Sequence, residues 1–525
     1  MIALVLSYES LSQANRYMVF FSDKADSPYR IEDPGAFLSQ RAIDRRVRQN
    51  ITITEEDLPV NPAYIEGLRA LDIETYFVTK WMNGVLVQAE GSKLPAIQAL
   101  DFVSHIDYVA PGPKLTPEIE PDPGFMEAEP VDRGALSNVM QRDMLGGDVM
   151  NEAGYTGEDV WIAFMDGGFR NVNQATYFAY LFNAGQYLGG KDFVTNGANP
   201  FQYSLHGTGV LSTVVGDAGS DFRGIAPDCS VLLLVTEDTR EEFRIEEYNW
   251  LFGAEYADSL GIDIISSSLG YSYFDDPSMD YTNADLDGET AVITRASELA
   301  FSKGMLMVTS AGNSGSSTWR LISAPADGKN VLAVGAVDGN RQRASFSSVG
   351  PTADGRIKPD VVAQGSGTAL FQSGYTTSNG TSFSSPLITG LAAGLWQANP
   401  DWNNEQLLQA IKSRGSRFGS PDNLVGYGIP HFESDRVWDI GEPGVAWSLH
   451  PNPVSQGLIT LETLNTDLEE VHIYNDQGQS IPVVTTKQES RTIHLDLSDK
   501  ASGIYFLKLR TERGSETIRI LNYPD

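Results

Sequence analysis

Between residues 160 and 337 the chain alternates short, almost wholly apolar runs with stretches of helical spacing, and this alternation limits the possible folds more than any other feature of the sequence. Apolar runs occupy 160–165, 231–235, 262–266, 305–310 and 331–337, with helical segments after His206, at 246–260 and at 289–303. A strand that is apolar on both faces must be covered on both, which a parallel sheet with helices on each side achieves. The spacers are long enough for the crossovers that parallel strands require. An α/β domain follows, and in such sheets function gathers beyond the strands' carboxyl ends.

Polar residues stand where that rule places them. The run 160–165 ends in Asp166-Gly-Gly-Phe, where the glycines allow a sharp turn. His206-Gly-Thr-Gly-Val opens a segment with helical spacing at Val210, Leu211, Val214 and Val215. Asn379-Gly-Thr-Ser-Phe-Ser-Ser-Pro386 runs into the apolar segment 387–394, which reads as a buried helix with Ser382 at its start. Backbone N–H groups at a helix start lack intrahelical partners, so negative charge developing there is stabilised. Taken alone, Gly-Thr-Ser before a helix is also what an ordinary helix cap looks like. Together the three blocks supply a hydroxyl, an imidazole base and a carboxylate to hold the imidazole tautomer, the parts of an activated nucleophile.

These blocks resemble the Asp, His and Ser boxes of the subtilisin-like serine peptidases, the subtilases, and they occur in that family's chain order. Ser310-Ala-Gly-Asn313 resembles the segment whose Asn side chain donates to the oxyanion, and Ser266-Ser-Ser-Leu-Gly270 the edge strand that pairs with substrate backbone. The resemblance implies catalytic roles for Asp166, His206 and Ser382, with Asn313 in the oxyanion hole. It further implies substrate contacts from Ser268, Leu269 and Gly270, and a P1 pocket lined by Ala311 and Gly312. The expected activity is that of a serine endopeptidase working through an acyl-enzyme, with no cofactor needed for the chemistry. The alternative is a catalytically silent binding or adhesion protein on the same fold. Phe383 and Ser384 depart from the family, which usually carries Met and Ala there, so the volume beside the nucleophile is kept and its shape is not.

At 525 residues the chain is too long for one ordinary domain. Residues 15–110 alternate strand-like (16–21, 73–79, 84–89, 103–109) and helix-like (37–48, 62–71, 94–100) segments, which predicts a small α+β domain. By resemblance it is the subtilase propeptide, folding template and inhibitor; an unrelated α+β binding module is the alternative. Residues 111–135, rich in Pro and Glu, read as an exposed linker where processing would occur. The peptidase domain is assigned to 136–440. Residues 441–525 contain short strand-like segments at 459–464, 470–474, 481–485, 492–497, 504–509 and 516–521 with Gly, Asn and Pro between them, which predicts a β-sandwich. Its Pro-Asn-Pro opening (451–453) and the block 496–505 resemble the C-terminal sorting domain of type IX secretion cargo in Bacteroidetes. A carbohydrate-binding or adhesive sandwich is the alternative there. Residues 1–14 read as the tail of a secretory signal truncated at its start, against a plain first strand.

The expected partners are therefore protein or peptide substrates, the chain's own propeptide and a secretion machinery, with the product exported through the periplasm to the surface or medium. The formal net charge of −32 opposes binding to nucleic acid or an anionic membrane surface. No apolar run reaches the length of a transmembrane helix. The single cysteine, Cys229, sits in an apolar context as a core residue, and no disulfide can form within the chain. The loop 273–287 holds Asp275, Asp276, Asp280, Asp285 and Asp287, enough oxygen ligands for a structural Ca²⁺, although their spacing fits a solvated acidic loop equally well. Subtilases often bind calcium, but the family's positions do not transfer to these residues.

Overall fold

The structure, a computed structural model, describes residues 14–112, 137–219, 222–433 and, from 447 to 522, all but 451–457, 464–467, 476–478, 483, 490–491, 502 and 512–513. The signal-like segment, nearly all of the linker and the Pro-Asn-Pro opening thus lie outside the described residues. The chain forms two compact units, one running to Leu408 and including Gly419–Ile429, the other made of Gln409–Phe418 and Pro430 onward.

In the N-terminal part of the first unit, β1 (Asn15–Phe21), α1 (Gln40–Arg48), α2 (Pro62–Arg69), β2 (Glu74–Thr79), β3 (Gly84–Ala89), α3 (Leu94–Gln98) and β4 (Val103–Ala110) build an antiparallel sheet of order β2-β3-β1-β4. Each element falls within three residues of its expected place. Side chains alternate across a strand, and here the alternation separates two cores. Tyr17, Val19, Phe21, Val85 and Val87 pack with Leu68 and Ile97 of the domain's own helices. Met18, Phe20 and Leu86, on the opposite face, join the core of the residues that follow.

Those residues form α4 (Val139–Asp143), α5 (Gly147–Glu152), β5 (Trp161–Asp166), α6 (Ala179–Asn183), β6 (Tyr187–Asp192), α7 (His206–Val215), β7 (Ser230–Val235), α8 (Ile245–Leu260), β8 (Ile264–Ser267), α9 (Val292–Ser302), β9 (Leu306–Ser310), β10 (Val331–Val337), β11 (Val361–Gln364), β12 (Thr368–Phe371), β13 (Tyr375–Ser378), α10 (Thr381–Ala398) and α11 (Asn404–Ser413). The seven-stranded sheet has the order β11-β10-β9-β8-β5-β7-β6, every pair parallel. Chain direction through the sheet reverses between β5 and β8, the place where an open α/β sheet leaves a crevice at its carboxyl edge. In register, Asp166 faces Val235 and Met165 faces Ser267, which in turn faces Thr309, so these strand ends share one edge.

Both faces of the sheet are covered, and two neighbouring serines show it. Ser266 Oγ accepts from Thr389 of α10 at 3.0 Å, while Ser267 Oγ accepts from the indole N–H of fully buried Trp250 of α8 at 3.0 Å. The edge strand β6, whose sequence Tyr-Leu-Gly-Gly-Lys-Asp has no apolar run, and the β12–β13 hairpin were not anticipated from periodicity.

The N-terminal domain docks along α8 through buried polar groups. Glu255 accepts from the Thr79 hydroxyl (2.5 Å) and from the N–H groups of Lys80 (2.8 Å) and Trp81 (3.1 Å). One turn on, Asp258 accepts from Arg45 (2.5 Å), Arg46 (3.0 Å) and Lys80 (2.9 Å). Asp258, Arg45 and Arg46 are each at most 1% exposed. Burial pushes the Asp258 carboxyl up, but the charges of Lys80, Arg46 and Arg45 outweigh it and hold the group well below the usual carboxylate range. Gly261 ends α8 in the left-handed region (φ +93°), and a Cβ there would lie 2.8 Å from the Ala42 backbone N. Glycine is thus required both by the turn and by the close approach of α1.

In the second unit β14 (Trp447–His450), β15 (Leu458–Thr463), β16 (Leu468–Asn475), β17 (Ser480–Ile481), β18 (Val484–Glu489), β19 (Thr492–Asp496), β20 (Gly503–Thr511) and β21 (Gly514–Asn522) make two four-stranded sheets, β14-β15-β19-β18 and β17-β16-β20-β21. Leu461 and Leu495 from one sheet share a core with Leu507, Leu509 and Ile520 from the other, as in a sandwich.

Candidate active site

Asp166 closes β5 and is 1% exposed; His206 opens α7. They meet because Gly207 lets the first turn of α7 press against the exit of β5: a Cβ at 207 would lie 2.4 Å from the Gly168 carbonyl oxygen and 2.9 Å from the Asp166 Cβ. His206 Nδ1 stands 3.0 Å from Asp166 Oδ1 and 2.9 Å from Oδ2. Asp166 Oδ1 also accepts from the Gly167 N–H at 2.8 Å, and Ser204 Oγ accepts the His206 N–H at 3.0 Å, so both partners are fixed from behind. An Nδ1–H donated to the carboxylate leaves Nε2 as the ring's basic nitrogen.

Ser382 is the second residue of α10 and is 7% exposed. Its hydroxyl donates to the Ser268 carbonyl at 3.3 Å, and the Ser268 hydroxyl donates to the Ser382 carbonyl at 2.8 Å. The nucleophile candidate is thereby tied to the end of β8. Asn313 Oδ1 accepts from the backbone N–H (2.9 Å) and the hydroxyl (3.0 Å) of Thr381. With its oxygen held twice, the Asn313 amide NH₂ is left as the donor. Thr381, which sequence reasoning missed, is therefore the residue that orients Asn313. The Ser382 N–H belongs to the first helical turn, whose donors have no intrahelical acceptor.

Asp166, His206, Ser268, Leu269, Gly270, Asn313 and Ser382 all line one cleft of about 710 Å³. Ala311 and Gly312 are not among the residues lining it. Ala311 is fully buried with its N–H on the Val334 carbonyl, and Gly312 donates to the Thr381 hydroxyl at 3.3 Å. Phe383 also lines the cleft and sets its ring 5.5 Å from the His206 imidazole, centroid to centroid. Ser384, the second departure, is fully buried and its hydroxyl has no hydrogen-bond partner among the described residues. A buried hydroxyl left unpaired costs about 1–3 kcal/mol. Ser384→Ala is accordingly expected to stabilise the protein by about 1 kcal/mol, read as a rise in thermal midpoint with unchanged active-site geometry.

The loop aspartates do not converge on a point. Asp276 accepts from the Ser278 N–H, Asp280 from Phe274, Asp285 from Thr282, Asp287 from Glu289 and Thr290, and Asp275 from Glu242, so each carboxylate serves its own local turn or contact. Among the described residues the group whose carboxylates come together is instead Glu237, Glu242 and Glu246, with oxygens within 4.8 Å of one another. Glu237 and Glu242 line the cleft. Burial first, and then the charges of Asp275 and Glu247, push Glu242 up to about 7. Glu237 is raised by burial and by Glu242, and Glu246 by burial and by both partners. Nothing in the linear sequence separated these glutamates from the many other acidic residues.

Residues 157–428, more than half of the chain, match the subtilase family; 16–120 match the peptidase S8 propeptide domain of Bacteroidota; and 448–522 match a secretion system C-terminal sorting domain. Subtilisin NAT from Bacillus subtilis subsp. natto is 32% identical over 275 residues, covering 52% of this chain and 64% of that protein. The chain thus spans less than two thirds of that relative's length. Subtilisin from Bacillus pumilus is 32% identical over 275 residues, covering 52% of this chain and 89% of that one. Among solved structures, the crystal structure of MycP1 from the ESX-1 type VII secretion system aligns with a TM-score of 0.48 and 23% identity, covering 62% of this chain and 95% of that one. The sorting-domain match places the chain among secreted or cell-surface proteins. Among the described residues no helix is long and apolar enough to cross a membrane. The chain belongs to the subtilase family, and it carries a Bacteroidota-type S8 propeptide before its peptidase domain and a secretion sorting domain after it.

Proposed function

We propose that the protein is a serine endopeptidase that cleaves peptide bonds through an acyl-enzyme formed on Ser382. The observation that carries this reading is the Asp166 carboxylate within 3.0 Å of His206 Nδ1, in a cleft that also presents Ser382 and Asn313. Ser382 Oγ attacks the scissile carbonyl carbon and its proton passes to His206 Nε2. The carbonyl oxygen becomes an oxyanion that accepts from the Asn313 amide and the Ser382 N–H. Collapse expels the amine, which takes the proton from His206, and water then repeats the sequence on the acyl-enzyme. Asp166 holds the imidazole tautomer throughout and supports its positive form. This chemistry requires no cofactor. Ser268, Leu269 and Gly270 pair with substrate backbone, and Ala311 and Gly312 form the wall behind the P1 site. A structural calcium ion is a separate matter from the reaction. A pre-steady-state burst with an activated ester substrate, equal to one equivalent of enzyme, tests the covalent step; its absence with full steady-state turnover would refute an accumulating acyl-enzyme.

The regions 15–110, 111–135, 136–440 and 441–525 act in this reading as inhibitor, processing linker, peptidase and sorting domain, after an export signal in 1–14. Protein or peptide substrates, the propeptide and a secretion machinery are the partners. Deleting 441–525 is expected to leave hydrolysis by the purified peptidase within about twofold, because a sandwich with its own core is an independent folding unit. In a native-type host the truncated chain should instead accumulate in the periplasm. Immunoblots of periplasm and medium decide this, and undiminished export would refute the sorting role.

A further inference from the structure

We propose that Glu237, Glu242 and Glu246 bind one calcium ion at the rim of the cleft. Their carboxylate oxygens lie within 4.8 Å of one another. Calcium takes oxygen ligands at about 2.3–2.6 Å, so ligands on a single ion stand at most about 5 Å apart. Clustered acids alone would not establish a site, since exposed acidic residues gather without ions. Glu246 is different: it is 1% exposed, its Oε1 accepts the Asp238 N–H at 2.6 Å, and its Oε2 is buried with no hydrogen-bond partner among the described residues. Asn249, one turn along α8, is 2% exposed and its Oδ1 is likewise buried and unpaired. Both residues line the same small cavity. Glu246 Oε2, a buried acceptor that no donor meets among the described residues, stands with two further carboxylates in an environment suited to a hard cation.

The neighbouring side-chain cations hold other partners, although the Nε of Arg16 and of Arg244 is buried without a hydrogen-bond partner among the described residues. Arg240 pairs with Asp238 at 2.8 Å, and Arg244 donates to the Met279 carbonyl and stands 3.7 Å from Glu247. Arg16, which lines the same cavity as Glu246, donates to the Pro111 carbonyl at 2.8 Å. The Tyr271 hydroxyl donates to Glu237, and Tyr271 directly follows Ser268–Gly270 in the chain. An ion here would tie the segment after β7 to the first turn of α8 and, through Glu237 and Tyr271, to the edge proposed to hold substrate backbone. Its effect on catalysis would therefore appear in KM more than in kcat. The binding itself does not depend on the peptidase reading.

Full-length protein carrying Ser382→Ala, which cannot digest itself if that reading holds, is to be titrated with calcium chloride by calorimetry and followed by thermal melting. The expected result is one ion per chain, with a dissociation constant of about 10⁻⁴–10⁻³ M or tighter, the range of extracellular sites, and a melting temperature that rises with calcium. Glu246→Gln and, separately, Glu242→Gln should weaken binding at least tenfold. Each should also raise the melting temperature of the calcium-free protein at neutral pH, because glutamine removes a carboxyl whose ionisation is opposed by burial and by its neighbours. That gain shows that the variants fold. Glu241→Gln, at an exposed neighbour, should bind calcium as the parent does. No binding at millimolar calcium would overturn the proposal, as would undiminished affinity in both the Glu242 and Glu246 variants.

Discussion

Ser382→Ala is expected to lower peptide hydrolysis by about 10⁶-fold, a magnitude taken from subtilisin, which the chain resembles, and not calculated for this protein. The loss should be far from additive. His206→Ala should cost nearly as much alone, and the double variant little more, because hydroxyl and base act in the same proton transfer. The fold should be indifferent to the change, since the Ser382 hydroxyl makes a single long bond, 3.3 Å to the Ser268 carbonyl. The melting temperature should therefore stay close to that of the parent. The same substitution should leave the precursor at full length, whereas the parent is expected to cut itself between its N-terminal and peptidase domains. A Ser382→Ala protein with parental turnover would end the assignment.

The second large effect concerns Asp258. Three cations of the N-terminal domain, Arg45, Arg46 and Lys80, converge on this one carboxylate, which is fully buried. Removing the shared carboxylate leaves Arg45 without its ion pair and Arg46 with Asp57 alone at 2.8 Å, and breaking such a buried pair costs about 3–5 kcal/mol. Asp258→Ala is thus expected to weaken inhibition in trans by the isolated N-terminal domain by about 10²–10³-fold. Once that domain has left, Asp258 has lost these three partners, so the mature variant should match the parent in turnover. Inhibition assays with both mature enzymes measure this, and an unchanged inhibition constant would show that the cluster contributes nothing net. The pH dependence has a defined sign. A carboxyl held below its usual range contributes stability that is present above about pH 4 and lost as pH falls through its lowered value. Glu255 is pushed up by burial and titrates in the opposite sense, so the contribution is read from the difference between parent and Asp258 variant.

The elements most legible in the sequence are those whose two faces are both apolar or strictly alternating. β1 and β3 were placed nearly to the residue because odd and even positions feed different cores. β6 was not, because an edge strand needs no apolar run and its two glycines hide it. The site was legible where chemistry depends on local context: Asp166 at a strand end, His206 and Ser382 at helix starts. It was not legible where a role depends on residues far apart. Thr381 holds Asn313 across 68 positions, and Asp258 gathers cations from more than 170 positions away. The loop 273–287 is acidic enough for calcium in the sequence, yet its carboxylates are taken up one by one by nearby backbone N–H groups. The glutamates that do meet come from the end of β7 and the start of α8, and only the folded chain brings them together.

The most direct measurement of the central claim is labelling with a fluorophosphonate, which reacts with a serine hydroxyl only when a base and an oxyanion hole activate it. Protein freed of its N-terminal domain, labelled and digested, should carry one phosphonyl group on the peptide containing Ser382. His206→Ala should abolish that label, and Asn313→Ala should slow it by about 10²-fold, within the range known for loss of one oxyanion donor in subtilisin. An unlabelled Ser382 in folded, domain-free protein, or labelling that proceeds equally without His206, would contradict the account.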